Sequence, residues 1–255
     1  MPFRAALVQM LVVGGEREAN LQRAVELIDA GAAQGADLVV LPEAADLGWT
    51  HPSARTRAEP IPRGDSFQRL ASAARANGVY VCAGLIERDE TKIYNSAVLI
   101  DRRGELVLLH RKINELDIAR DLYAIGDRLR VAETELGRLG LHICADGFAD
   151  GQTLSRSLGE MGADVILSPG AWAVDADHDN EQEPYGQIWR DSYIPVAREF
   201  SVWMIGVSNV GWLEEGPWAG KKCIGSSLVI DPNGSEVVCG PYGHDAEAIV
   251  FLDIV

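Results

Sequence analysis

Strands and helices alternate along the first half of this 255-residue sequence, a single hairpin breaks the alternation, and one short segment recurs in the second half. These observations predict an α/β fold built on mixed β-sheet. The amino terminus, Met1–Met10, lacks a signal peptide's longer apolar segment and small-residue cleavage site and reads as the first strand. From Glu16 to Gln34, the residues Leu21, Ala24, Val25, Leu27, Ile28 and Ala32 fall at helical spacing, and Gly35 marks the stop. Residues 38–41 follow as four successive apolar residues, a strand buried on both faces, which Pro42 ends because proline has no N–H for the ladder. A helix over about 65–77 and strands at 79–86, 94–100 and 105–111 come next, the last two flanking the turn Asp101-Arg-Arg-Gly104.

The recurring segment is Gly35-Ala-Asp-Leu-Val-Val-Leu-Pro42, echoed by Gly162-Ala-Asp-Val-Ile-Leu-Ser-Pro169, and each copy follows an amphipathic helix, 17–34 and about 151–161. Either the chain consists of two similar halves, or Gly-Ala-Asp is merely a common helix-to-strand turn with a glycine cap. The length is that of one large domain, 1–255, able to bury a sizeable core.

Hydrophobic residues at 47% and charged residues at 24% set disordered and fibrous classes aside. Against 23 basic residues stand 38 acidic ones, a net charge of −15, so neither nucleic acid nor an anionic membrane finds an electrostatic partner. No apolar stretch approaches the ~18–20 residues that span a bilayer. Cys82, Cys144, Cys223 and Cys239 show no metal-ligand spacing, which fits a reducing compartment, the cytoplasm, and no bound metal. His178 lies among Asp175, Asp177, Asp179, Glu181 and Glu183, but without ligand spacing, and the stretch 173–193 reads as a solvated rim or lid.

Three polar residues stand where apolar strands end: Glu43 after Leu38–Pro42, Lys112 after Leu106–Arg111, and Cys144 after Leu139–Ile143. Residues in such places project into the crevice where open α/β sheets bind ligands. Each alone fits an ordinary loop glutamate, a surface lysine or a core cysteine. A thiol attacks as thiolate and needs a base, and a partly desolvated carboxylate is suited to accept its proton. A neighbouring ammonium would stabilise the oxyanion that follows.

Together these residues resemble the nitrilase, or carbon–nitrogen hydrolase, superfamily, whose catalytic set is Glu, Lys and Cys in that chain order. The likeness runs nearly end to end: Leu41-Pro-Glu43, His110-Arg-Lys112 and Gly140-Leu-His-Ile-Cys-Ala-Asp146 match the three motifs, and Tyr94-Asn-Ser-Ala97, Gly162-Ala-Asp164, Pro169-Gly-Ala-Trp172 and Asp231-Pro-Asn-Gly234 resemble its connecting signatures. The resemblance implies a four-layer α-β-β-α sandwich with two mixed sheets, no cofactor, and catalysis by Glu43, Lys112 and Cys144 through a thioester, with the Ala145 N–H assisting at the oxyanion. It also implies a second carboxylate. Asp121 sits near the matching position but is a methylene shorter than the family's glutamate, and Glu115 is the rival.

Trp172, Tyr185 and Trp189 are candidate substrate contacts beside the lid, or else packing residues. After the cysteine stands Ala145-Asp146 rather than the Trp-Glu typical of true nitrilases, so the expectation is a small linear amide, then a carbamoyl (ureido) substrate, with a nitrile or a silent binding protein of the same fold behind. The fold usually pairs through its helical layers, and the alternating apolar tail Ala246–Val255 needs a sheet or a partner to hold it, so a homodimer or larger homo-oligomer is expected.

Overall fold

A computed structural model describes residues 2–255. The first half runs β1 (Phe3–Gln9), α1 (Arg17–Ala33), β2 (Leu38–Val40), α2 (Ala54–Arg57), α3 (Asp65–Asn77), β3 (Tyr80–Asp89), β4 (Lys92–Ile100) and β5 (Leu106–Arg111). The second half runs β6 (Val131–Thr134), β7 (Gly137–Leu141), α4 (Thr153–Glu160), β8 (Val165–Gly170), β9 (Ala173–Val174), α5 (Gln187–Phe200), β10 (Trp203–Ser208), β11 (Val210–Trp212), β12 (Lys222–Ile224), β13 (Leu228–Ile230), β14 (Glu236–Cys239) and β15 (Ala248–Ile254). The predicted helices and strands of the first half appear within a few residues of their expected bounds. α3 ends where Gly78 takes a left-handed φ of 65°, a conformation glycine adopts without strain.

Two six-stranded mixed sheets result, ordered β15-β1-β2-β3-β4-β5 and β6-β7-β8-β10-β13-β14. Strand for strand the two orders correspond: an antiparallel edge, three parallel strands, then two antiparallel ones. The Gly-Ala-Asp segments do the same work in both. The Asp37 N–H donates to Arg4 O (2.7 Å) while its carboxylate accepts from the Arg4 N–H (3.0 Å). In the other half the Asp164 N–H donates to Arg138 O (2.8 Å) and its carboxylate accepts from the Arg138 N–H (2.8 Å). The sequence echo therefore marks two similar halves, each fastening its second parallel strand to its first by one aspartate.

Between the sheets lies a core of Leu7, Val40, Cys82 and Leu99 from one side and Leu141, Leu167, Ile205 and Val229 from the other. The outer face of the first sheet packs on α1 and α3 through Val8, Val39, Ile28 and Leu70. That of the second packs on α4 and α5 through Ile166, Met204, Leu158 and Val196. This is the four-layer α-β-β-α sandwich. The apolar tail is β15, paired with β1 over seven residues, so a sheet of its own chain holds it. Among the described residues no helix is long and apolar enough to cross a membrane.

Candidate active site

The functional side chains gather where both sheets present the ends of their strands. β2 gives way to Leu41-Pro-Glu43, and the Glu43 N–H crosses to the second sheet to donate to Gly170 O at the end of β8, 3.2 Å away. Glu43 is held there by close packing. A Cβ added to Gly84 of β3 would lie 2.5 Å from Glu43 Cα, so only glycine lets the strand and the glutamate approach. Lys112 follows β5 directly, its N–H donating to Asn95 O of β4 (2.9 Å). Strand β7 ends at Leu141, three residues before Cys144, although the His142 N–H still donates to Leu167 O (3.1 Å). Cys144 then opens a 3₁₀ turn, Cys144–Phe148, with φ at 45°. A non-glycine residue rarely adopts this strained conformation, and here it sets the thiol at the head of the turn.

Lys112 Nζ donates to Glu43 Oε1 at 2.7 Å and lies 3.9 Å from Glu115 Oε2, with all three side chains buried. Asn95 Nδ2 donates to the same Glu43 oxygen at 2.6 Å. Burial alone would lower the Lys112 pKa, but the Glu43 and Glu115 carboxylates outweigh it and hold the ammonium charged. For Glu115, burial outweighs the Lys112 charge and pushes its carboxyl up to about 7. Among the described residues neither Glu115 oxygen has a hydrogen-bond partner. The Cys144 thiol is raised by burial and by the Glu43 charge, Lys112 pulling the other way, so it rests protonated. The Glu43 carboxylate raises the thiol further and the Ala171 N–H lowers it.

The turn and the lysine segment are tied together by Asp146. Its Oδ2 accepts from the Ile143 N–H (3.0 Å) and faces His110 Nε2 (2.8 Å), while Oδ1 accepts from the N–H groups of Ile113 (3.1 Å) and Asn114 (2.7 Å). Burial would raise the Asp146 carboxyl, but these bonds, His110 first, bring it down to about 2. Beneath the turn His142 is buried with both ring nitrogens unpaired, and burial lowers it to about 4, so its ring is neutral.

Glu43, Lys112 and Cys144 open into one cavity of about 240 Å³, whose other walls are Trp49, Leu116, Phe148, Ala171, Trp172, Ala173, Tyr185, Ile188, Trp189 and Trp218. The three aromatics singled out in the sequence do line it. Trp172 and Trp189 stack with centroids 4.5 Å apart, and Trp189 Nε1 donates to Tyr185 Oη at 3.0 Å. They pack and face the cavity at once. The stretch 173–193 resolves into β9, an acidic turn and the start of α5, which together form one wall.

Of the two candidate second acids, the cluster takes Glu115. Asp121 is exposed, and only its backbone carbonyl makes a contact, accepting from Arg55 (3.3 Å). Three residues beyond Lys112 a side chain returns to the lysine, whereas nine residues on the chain has turned outward. Asn95 had a signal in the sequence, a polar residue inside the strand Lys92–Ile100 and part of the Tyr94-Asn-Ser-Ala97 segment. Trp49 and Trp218 had none, since only the folded chain brings them together, edge to face at 4.8 Å. Among the described residues no group of histidine, cysteine and carboxylate side chains could hold a metal ion.

A sequence model of the carbon-nitrogen hydrolase family matches residues 4–255. The chain belongs to the carbon-nitrogen hydrolase family. It is similar to a nitrilase of Pyrococcus abyssi, 34% identical over 98% of this chain and 90% of that protein. It is also similar to the omega-amidase NIT2 of Xenopus tropicalis, 35% identical over 67% of this chain and 64% of that protein. Among solved structures, a carbon-nitrogen hydrolase from Helicobacter pylori G27 superposes with a TM-score of 0.87 at 21% identity, over 99% of this chain and 88% of that one. That likeness establishes the shared fold of this carbon–nitrogen hydrolase.

Proposed function

We propose that this protein hydrolyses the C–N bond of a small linear amide through a thioester on Cys144. The observation that carries the reading is the buried contact of 2.7 Å between Lys112 Nζ and Glu43 Oε1, beside the Cys144 sulfur in one cavity. As Cys144 Sγ bonds to the amide carbon, its proton passes to Glu43. The carbonyl oxygen becomes an oxyanion, stabilised by the Lys112 ammonium and the Ala145 N–H, which pairs with no backbone carbonyl among the described residues. The tetrahedral intermediate collapses, the C–N bond breaks, and the proton moves from Glu43 to the departing amine. Water then gives a proton to Glu43 and attacks the thioester, releasing the carboxylic acid and returning the thiol. In this scheme Glu115 is a positioning residue: its carboxylate, 3.9 Å from Lys112 Nζ, helps hold the ammonium in place beside Glu43. The family resemblance and the amidase among the similar proteins support the amide; Ala145-Asp146 speaks against a nitrile.

The test is mass spectrometry of intact protein mixed with amides, ureas and nitriles. An acyl adduct on the Cys144 peptide with amides alone is expected. Retained turnover in Cys144→Ala, or faster turnover of nitriles, would overturn the proposal.

A further inference from the structure

We infer that the acyl group admitted to this cavity is neutral and apolar, a branched alkyl or aromatic group, and that an amide bearing a carboxylate at its far end is rejected. The inference rests on the amide reading above. Apart from Glu43, Lys112 and Cys144, every cavity wall is apolar or aromatic. The one cation, Lys112, is spoken for by Glu43 and Glu115, and its place is at the reacting carbon rather than at the far end of the acyl chain. Of the cations outside the cavity, Lys221, whose ammonium lies 5.3 Å from the Trp218 ring centroid, is bound to Asp175, Arg120 pairs with Asp117 at 3.1 Å, and Lys222 donates to the Ala176 carbonyl oxygen at 2.9 Å. None of the three lines the cavity.

What polarity remains on the walls is neutral. Among the described residues Trp49 Nε1 and Trp172 Nε1, the latter turned toward Gly170, have no hydrogen-bond partner, and the Tyr185 hydroxyl accepts from Trp189. These neutral donors offset little of the cost of stripping water from a carboxylate. The approach is hostile to anions as well, since Asp177, Asp179, Glu181 and Glu183 all stand exposed on the segment leading from β9 to α5. Against this, the stacked Trp172 and Trp189 rings give a flat apolar wall suited to a ring or branched chain. At ~30 Å³ for each water displaced, about 240 Å³ is the room of about eight waters, enough for an acyl group of similar atom count.

The deciding comparison is kcat/KM for 4-methylpentanamide and phenylacetamide against succinamate, in which a carboxylate replaces the isopropyl group of 4-methylpentanamide. Both neutral amides are expected to exceed succinamate by at least about a hundredfold, the scale set by an unpaired buried charge. Ile188→Lys places a cation at the half-exposed wall residue of α5 and is expected to narrow that ratio at least about tenfold by improving succinamate. Succinamate turned over as well as its neutral isostere would overturn the inference while leaving amide hydrolysis standing. Failure of all three amides to react or to form an adduct on Cys144 would overturn both.

Discussion

His110 Nε2 lies 2.8 Å from Asp146 Oδ2, and this contact binds the strand that carries Lys112 to the turn that carries Cys144. The two catalytic candidates come from different sheets, β5 of the first and the end of β7 in the second. Asp146 spans the gap with four hydrogen bonds, two of them to the N–H groups just past Lys112. Asp146→Asn keeps the shape and removes the charge. Because the folded pKa is depressed from 3.8 to about 2, the carboxylate's contribution is fully present above about pH 4 and is lost as pH falls toward 2. At neutral pH the variant is expected to lose on the order of 2 kcal/mol in urea unfolding, and kcat should fall more than KM rises. An unchanged denaturation midpoint would show that the bridge holds nothing.

Glu115 carries the opposite sign. Its folded pKa is raised from 4.5 to about 7, so the stability it contributes is fully present below about pH 4.5 and is lost as pH rises through 7. Glu115→Gln cannot ionise, so the gap between its Tm and that of the parent should widen in the variant's favour from pH 5 to pH 8. Activity should move the other way, kcat dropping by up to about a hundredfold as Lys112 loses the group that positions it. A parallel pair of Tm curves, or full activity in the variant, would remove Glu115 from this role.

The thiols should separate by access and by their need for a base. Cys82 and Cys223 are buried, and burial raises both, Cys223 to about 12. Cys239 is exposed. Iodoacetamide followed by peptide mapping is therefore expected to label Cys144 and Cys239 and to spare the other two. Only Cys144 should slow in Glu43→Gln, because its raised pKa leaves the thiol dependent on that carboxylate. Equal slowing at Cys239, or none at Cys144, would deny Glu43 the part of base.

Gly84 is the backbone's own constraint on the site. In Gly84→Ala the new methyl meets Glu43 Cα at 2.5 Å, Ala44 N at 2.7 Å and Pro42 O at 2.8 Å, all backbone atoms that cannot swing aside. Relief requires moving Glu43. The variant is expected to fold with a loss of about 1–3 kcal/mol and to lose about a hundredfold in kcat. Wild-type kinetics would mean that the position of Glu43 is not critical.

Sequence and structure agree best where one residue's chemistry interrupts a long pattern. Glu43, Lys112 and Cys144 each follow an apolar run, and so the folded chain finds them at strand ends around one cavity. Choosing between Glu115 and Asp121 needed the path of the chain after Lys112, which spacing alone does not carry. The three-residue strands β11 and β12 are too short to show a period, and the contact of Trp49 with Trp218 joins segments far apart in the chain. The Gly-Ala-Asp echo became decisive only when both aspartates were seen making the same two bonds to the neighbouring strand.

The tail and the proposed homodimer come apart in the same way. Since β15 caps β1 over seven residue pairs, deleting residues 248–255 bares the β1 edge and is expected to lower Tm by at least about 5 °C or to drive aggregation. The expected pairing is through the helical layers, and these differ. The outer face of α1 is polar, with Glu18, Gln22, Glu26 and Asp29 exposed, whereas the α4 and α5 layer exposes Met161 (40%). A C2 pairing through this second layer around Met161 would cover it. Light scattering at micromolar concentration is expected to give twice the monomer mass, and Met161→Glu to shift the equilibrium toward monomer. A monomeric parent would refute the dimer, and a dimer indifferent to Met161→Glu would move the interface elsewhere.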